Sequence, residues 1–547
     1  MIQLLKKSKF FYLFFVLAIF LRILSASFNP ILTSDYSIQL EAAKNYHNSG
    51  KFNLNWVNAE NLSQIQSQPM NGWPVGSSFI YVLLNWFTGN LIYSQILFQC
   101  IGVLLFLIAS VKLLRYFSVS DYHINLFLLL FAFNPSPFYY LGPTDLFTAS
   151  LFLWIIYHSF WEVRAAQFRL KALLLISILS FITATVRLAC IPNLIILPLF
   201  FFVVYLYSKR KEHLWQSVTI LSISVILTFI FYKIYPFNSE RTGFLSNLIH
   251  GNLFFNHLKW FDPFPIKALL FTRPIEFHLP HLSALILTYR ISLLLISFGF
   301  LALILNNFIP NLKFKAWIKN FKKNMANKNY LLTLLFLVSF AVITGFIAMQ
   351  SLTTGPENNS FGPSWMPPLW TFVYATRYFV YLHFIIIVLY FIGYSENQNV
   401  GNKSLKLYKL TYSIFLVWAI LYWGFINYQF LSKKGNGGGS EWVNEKVAIA
   451  TFREIQTIKS ENLSAQIVSI HHKNKKAEGL VTNYSAATPC DDYEKIMRNE
   501  FKNSSPVTLI ITMPKNLSPN EKKFLNTHAF KVLKVFDQEL IVKVDLT

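Results

Sequence analysis

The sequence predicts an α-helical polytopic membrane protein with about 11 transmembrane helices and a small extracytoplasmic α/β domain at its C-terminal end. Three observations predict it. Of the 547 residues, 54% are hydrophobic and only 13% charged, a balance soluble domains seldom reach. The apolar residues come in blocks of roughly 17–25, the length that crosses a bilayer as a helix. After the Gly-rich stretch "KKGNGGGSEW" (433–442) the blocks stop and short alternating apolar patterns take over.

The apolar blocks run roughly over 10–27, 91–111, 124–141, 146–163, 172–186, 189–207, 214–235, 284–305, 331–349, 376–394 and 410–428. The first has Lys6, Lys7 and Lys9 at its start and no small-residue cleavage site, so it is expected to be retained as a helix. Every second junction is basic: "RAAQFRLK" (164–171), "SKRKEH" (208–213), "NLKFKAWIKNFKKNMANK" (311–328) and "NKSLKLYK" (402–409). Cations retained on the cytoplasmic side put the N-terminus inside and, with an odd number of spans, the tail outside. The blocks 172–186 and 189–207 are separated only by Arg187 and Leu188, and merging them would move the tail to the cytoplasm. The formal charge of +23 lies mainly in these short loops, where it sets orientation, so a nucleic-acid partner is not expected. Cys100 and Cys190 fall in apolar segments and Cys490 in a polar one, so no disulfide framework is implied.

Residues 1–430 thus form a transmembrane domain with three long outer segments, 28–90, 236–283 and 350–375, rich in aromatic residues and Pro. Within the first, "VGSSFIYVLLNWF" (75–87) is apolar but too short to span, and reads as an interfacial or re-entrant piece. Residues 431–441 are a linker, and 442–547 an α/β domain. In that domain 465–470, 480–484, 507–512, 530–536 and 539–544 read as strands, and 442–459, 491–501 and 518–529 as helices. It carries no Gly-rich phosphate loop and no nucleophile motif.

The candidate chemistry lies near the predicted outer rim. Ser34 and Asp35 open a segment in which Ile38, Ala42 and Tyr46 repeat at helical spacing. Asp35 reads either as a first-turn acid or as a carboxylate held at the membrane surface to act on a membrane-borne substrate. Asp145 opens the fourth block behind Pro143 and Thr144, and the same two readings apply. Arg187 and Arg377 fall on the outer side, where orientation gives no reason for cations. They either snorkel to headgroups or bind a phosphate, for which a planar guanidinium is suited. Arg22 and Arg273 are weaker candidates of the same kind. Trp73, Trp365 and Trp370 belong to an interfacial aromatic belt or stack on an apolar sugar face. Metal dependence stays open: a divalent metal is compatible with the sequence but unsupported by it, since His278 and His281 in "FHLPH" flank Pro280 with no Cys nearby.

Taken in order, Asp35 with "EAAKNYHNSGKF", "WPVGSSFIYVLLNWFTGN", Asp145 in "PTDLFTASLFLW", Arg187 and "RYFVYLHF" resemble the GT-C membrane glycosyltransferases, near the protein O-mannosyltransferase and aminoarabinose transferase branch. The resemblance covers roughly residues 10–430 and is clearest in the first 190. Many members have Asp-Glu at the first acidic position, whereas this chain has Asp35-Tyr36, which leaves a single carboxylate there. The resemblance implies a sugar donor carried on a polyprenyl phosphate. It implies Asp35 as general base, Asp145 as a second catalytic acid that positions acceptor or base, and Arg187, Arg377 and Tyr378 on the donor phosphate. Trp73 and Trp365 would then contact sugar or acceptor. The acceptor is a lipid, a glycan or a protein, and direct displacement would invert the anomeric centre. The expected location is the bacterial inner (plasma) membrane, among membrane lipids. A multipass transporter, a lipid-linked glycan polymerase or ligase, and a non-catalytic anchor displaying the tail are the rival readings. A transporter predicts internal repeats and broken spans at mid-membrane.

Overall fold

The computed structural model describes residues 9–28, 34–70, 74–133, 143–165, 168–187, 190–235, 302, 327–353, 380–400, 403–418, 420–421, 445–472, 487–490 and 492–546. The chain divides into two compact units: Met1–Phe28 with Phe98–Asn427, and Asn29–Leu97 with Tyr428–Thr547.

The first unit is helical. It contains α1 (Lys9–Phe28), most of α4 (Leu91–Tyr116), α5 (Asp121–Phe133), α6 (Pro143–Ala165), α7 (Leu170–Val186), α8 (Asn193–Ser208), α9 (Lys211–Ile234), α10 (Lys328–Thr353), α11 (Val380–Val400) and α12 (Lys403–Trp418). Among the described residues, four stretches are long and apolar enough to cross a membrane: Tyr93–Tyr116, Thr144–Ala165, Lys211–Ile234 and Lys328–Phe346. Large apolar side chains stand open on the outside, Phe229, Ile234 and Trp215 on α9 among them. In water that surface would be a liability, whereas hydrocarbon solvates it. The chain is an integral membrane protein. The expected blocks at 172–186 and 189–207 are two helices, parted at Arg187. Apart from Ala302, the block 284–305 and the basic stretch 311–326 lie outside the described residues.

α6 is the most enclosed of the four long apolar stretches and packs on α7, α8 and α11. Its approach to α4 is close. A Cβ added to Gly102 would stand 3.3 Å from the backbone nitrogen of Phe147, so a larger residue there pushes the two helices apart. α1 packs on α5, and Arg22 explains how. Its side chain is buried, donates to the Phe131 carbonyl in the last turn of α5, and lies 4.8 Å from the Phe131 ring centroid. The last carbonyls of a helix lack partners within it, and a cation there complements the helix dipole. The weaker phosphate candidate Arg22 therefore ties one helix to the end of another.

The second unit combines the first outer segment with the tail. α2 (Ser34–Ser49), β1 (Asn53–Trp56), β2 (Gln66–Pro69) and α3 (Gly76–Thr88) come from the first. The short apolar piece 75–87 is α3, ended by Gly89 at φ 63°, the left-handed conformation that glycine adopts without strain. α2 packs on α3 through Tyr46, Phe52 and Phe79, with Phe52 centred 4.4 Å from Tyr46 and 4.5 Å from Phe79. The amide of Asn45 donates to the Asn53 carbonyl at 2.7 Å, and the Glu41 carboxylate accepts from the Asn55 N–H at 2.8 Å.

The tail contributes α13 (Glu445–Glu461), β3 (Ile467–His471), β4 (Thr488–Pro489), α14 (Tyr493–Met497), β5 (Val507–Pro514), α15 (Pro519–Thr527), β6 (Phe530–Val535) and β7 (Glu539–Leu546). The strands form one sheet in the order β4-β3-β5-β7-β6. β3 runs parallel to β4 and β5, and β7 antiparallel to β5 and β6. One face is covered by α13 through Val447, Ala450 and Ile455, the other by α14 and α15 through Ile496, Met497 and Phe524. α15 starts on a capping box, Ser518 and Glu521 bonding each other's backbone. The expected strand at 480–484 and the linker at 431–441 lie outside the described residues.

His471, buried at the end of β3, pairs in register with Thr512 of β5. Burial pushes its imidazole down to about 4. The unfolded chain takes up a proton near the ordinary value while the folded sheet does not. Stability therefore falls as pH drops from about 6.5 to about 4, by about 3 kcal/mol in all, and changes little with this group below that. Urea midpoints of the tail, followed by near-ultraviolet circular dichroism, are expected to show this slope in wild type and lose it in His471→Gln.

Candidate functional site

α6 begins with Pro143, Thr144 and Asp145, a proline suited to the first helical position followed by an acid at the positive end of the helix dipole. α7 ends at Val186. Arg187 leaves the helix in extended backbone, φ −146° and ψ 119°, while its N–H still closes the last turn onto the Thr183 carbonyl at 3.1 Å. A cation at the negative end of one helix thus meets an acid at the positive end of its neighbour. Arg187 Nη1 lies 2.6 Å from Asp145 Oδ1 and donates to Thr144 Oγ1 at 2.7 Å. The side chains are 10% and 0% exposed, so the pair is enclosed.

Further polar groups close around it. The Thr148 hydroxyl donates to the carbonyls of Thr144 at 2.8 Å and Asp145 at 3.1 Å. Cys190 bonds back to the Arg187 carbonyl through its N–H at 3.0 Å, and its thiol neighbours Thr148, Arg187 and Asp145. Asn193, the first residue of α8, accepts from the Tyr381 hydroxyl of α11 at 2.9 Å. The Tyr381 ring lies 4.2 Å from that of Phe152 on α6. Thr148, Cys190, Asn193 and Tyr381 are all buried. A polar nest inside an apolar helical unit is costly unless its members satisfy one another, and sites of this kind mark function in membrane proteins. The pair sets a guanidinium beside a carboxylate inside an apolar unit, and a planar guanidinium is chemically suited to pair with a carboxylate or a phosphate.

Of the residues expected from sequence, Asp145 and Arg187 are brought together. Asp35 lies in the first turn of α2, in the other unit. Trp73, Trp365, Arg377 and Tyr378 lie outside the described residues, as do Trp370, Arg273, His278 and His281. The sequence reading did not single out Thr148, Cys190, Asn193 or Tyr381. Tyr381 stands inside the quoted stretch "RYFVYLHF", and Asn193 follows Pro192 at a helix start, so both had a local signal. Among the described residues no three His, Cys, Asp or Glu side chains gather to hold a metal ion.

No family model matches the sequence, and no curated protein matches it. Solved structures do show similarity. ArnT from Cupriavidus metallidurans bound to undecaprenyl phosphate is 12% identical, covers 97% of this chain and 97% of its own, and superposes with a TM-score of 0.45. The apo state of that protein is 13% identical over the same shares, with a TM-score of 0.42. The archaeal oligosaccharyltransferase AglB from Archaeoglobus fulgidus, in complex with an inhibitory peptide and a dolichol-phosphate, is 12% identical over 91% of this chain and 69% of its own, with a TM-score of 0.40.

Proposed function

We propose that this chain is an integral membrane glycosyltransferase that moves a sugar from a polyprenyl-phosphate donor to an acceptor hydroxyl at the outer face of the membrane. The observation that carries the reading is the enclosed Asp145–Arg187 pair at the start of α6, since a lipid-borne phosphate needs a cation inside the apolar unit. In this reading Arg187, with Arg377 and Tyr378, holds the donor phosphate and stabilises the charge that develops as it leaves. Asp145 keeps the guanidinium oriented when no phosphate is present. Asp35 takes the proton of the acceptor hydroxyl, whose oxygen attacks the anomeric carbon as the bond to the phosphate oxygen breaks. Polyprenyl phosphate departs, and the single displacement inverts the sugar carbon. Trp73 and Trp365 offer aromatic faces to sugar or acceptor. The N-terminus then lies in the cytoplasm and the tail outside, in a bacterial inner membrane.

Native mass spectrometry of the purified protein tests the donor class. Wild type is expected to hold a polyprenyl monophosphate at least about 10-fold more tightly than the matching polyprenol, the discrimination of one or two charge-assisted hydrogen bonds. The double variant Asp145→Asn/Arg187→Gln, which keeps Arg377 and Tyr378, is expected to lose most of that preference. Equal retention of the two lipids by wild type would remove the phosphate site.

A further inference from the structure

The tail sheet is completed by chain from far upstream. Residues 57–63 lie against it: the Val57 N–H donates to the Pro489 carbonyl of β4 at 3.0 Å and Val57 bridges Cys490 in parallel. The Lys502 N–H donates to the Ala59 carbonyl, and the Leu62 N–H to the Lys502 carbonyl, each at 2.9 Å. The Gln466 amide donates to the Leu62 carbonyl at 3.0 Å. Val57, Ala59 and Leu62 are buried in the same core as Ile496, Met497 and Phe524. One acid is used in a telling way. Asp492 stands at the N-cap of α14, where a side chain of its type ordinarily bonds the helix's own first N–H groups. It makes no such bond, and its Oδ2 accepts instead from the Ala59 N–H at 2.8 Å.

α2 is fastened beside the same strand. The half-buried Lys44 donates from Nζ to the Ala487 carbonyl, just before β4, at 3.3 Å. Asn45 and Glu41 bind the strand β1 that leads into residue 57. Asp35 is on this helix, nine residues before Lys44, or about 14 Å along the axis. A helix of this length moves as a rod, so whatever sets Lys44 sets the first turn.

We propose that the tail domain is a positioning element for α2, with Lys44 and Asp492 as positioning residues that set Asp35 through residues 57–63. This rests on the reading of Asp35 as the base. The tail is then no separate cargo displayed on an anchor but part of what holds the first outer segment in its working geometry. Misplacing a reacting group by about 1 Å costs up to about 100-fold in rate, which sets the size of effect to expect.

Full-length protein in nanodiscs tests it, by transfer kinetics and by hydrogen exchange of α2 and of β5. Asp492→Ala and Lys44→Met are expected to lower kcat by about 10-fold to 100-fold with KM for the donor unchanged. Exchange in α2 should rise while β5 stays protected. Asp492→Asn and Lys44→Arg, which keep an acceptor and a donor, should restore both readouts. Lys44→Met leaves the tail core untouched, so it decides the matter if Asp492→Ala unfolds the sheet. A Lys44→Met protein with wild-type kcat and wild-type exchange in α2 overturns the proposal. Absence of transfer in wild type would instead remove the underlying reading of function, and the exchange comparison alone would then decide whether the tail fastens α2.

Discussion

Asp145→Asn and Arg187→Gln, each made alone, are expected to destabilise the helical unit by about 3–5 kcal/mol, and the double variant to recover most of that loss. The reason is an asymmetry of buried charge. Removing one partner leaves the other desolvated and uncompensated, which costs far more than the pair contributes when intact. Removing both leaves two neutral polar groups that still bond across the same gap, from the Gln amide to the Asn carbonyl and Thr144. Thermal unfolding in detergent of the four proteins gives the cycle and its coupling energy. The same four proteins separate structure from function. If the pair were only a staple between α6 and α7, the double variant would bind phosphate lipid and transfer sugar like wild type. On the present account it is folded and inactive, because the guanidinium that meets the phosphate is gone.

Asp35→Asn is expected to lose about 10²-fold to 10⁴-fold in kcat, the usual contribution of a general base, with stability close to wild type and donor binding retained. It is the converse of the first prediction, since it changes the rate and leaves the scaffold alone. Asn is nearly isosteric with Asp and keeps a side-chain oxygen for the helix start, so capping by itself changes little. Single-turnover transfer with preloaded donor isolates the step. A rate within two-fold of wild type would show that Asp35 serves only to open α2, and the base would have to be sought elsewhere.

How much of this was legible depended on how local each feature is. The membrane helices show as unbroken apolar runs, and the break between α7 and α8 showed because Arg187 interrupts one. Four tail strands, β3, β5, β6 and β7, stand out as short apolar runs such as "AQIVSI", "VTLIIT" and "ELIVKV". β4 has two residues and no pattern to carry it, and its place in the sheet comes from register with β3. Asp145 and Arg187 were each conspicuous alone, as an acid and a cation at block edges. Their union needed the antiparallel packing of α6 on α7, which no local pattern encodes. The hydrogen bond from Ala59 to Asp492 joins residues 433 apart in sequence, and nothing in either neighbourhood announces the other. Val57, Ala59 and Leu62 read as parts of a polar loop, yet they are core residues of a domain that begins nearly 400 residues later.

The central claim is that this chain moves sugar from a polyprenyl phosphate. The direct measurement is transfer by the purified protein in nanodiscs, given a panel of radiolabelled polyprenyl-phosphate sugars and a mixture of lipid, glycan and peptide acceptors. The account predicts release of polyprenyl phosphate with label on an acceptor for at least one donor, lost in Asp35→Asn and in the double variant at Asp145 and Arg187. Transfer by those variants at the wild-type rate, or uptake of free solute into sealed vesicles with no label moved to any acceptor, would contradict it.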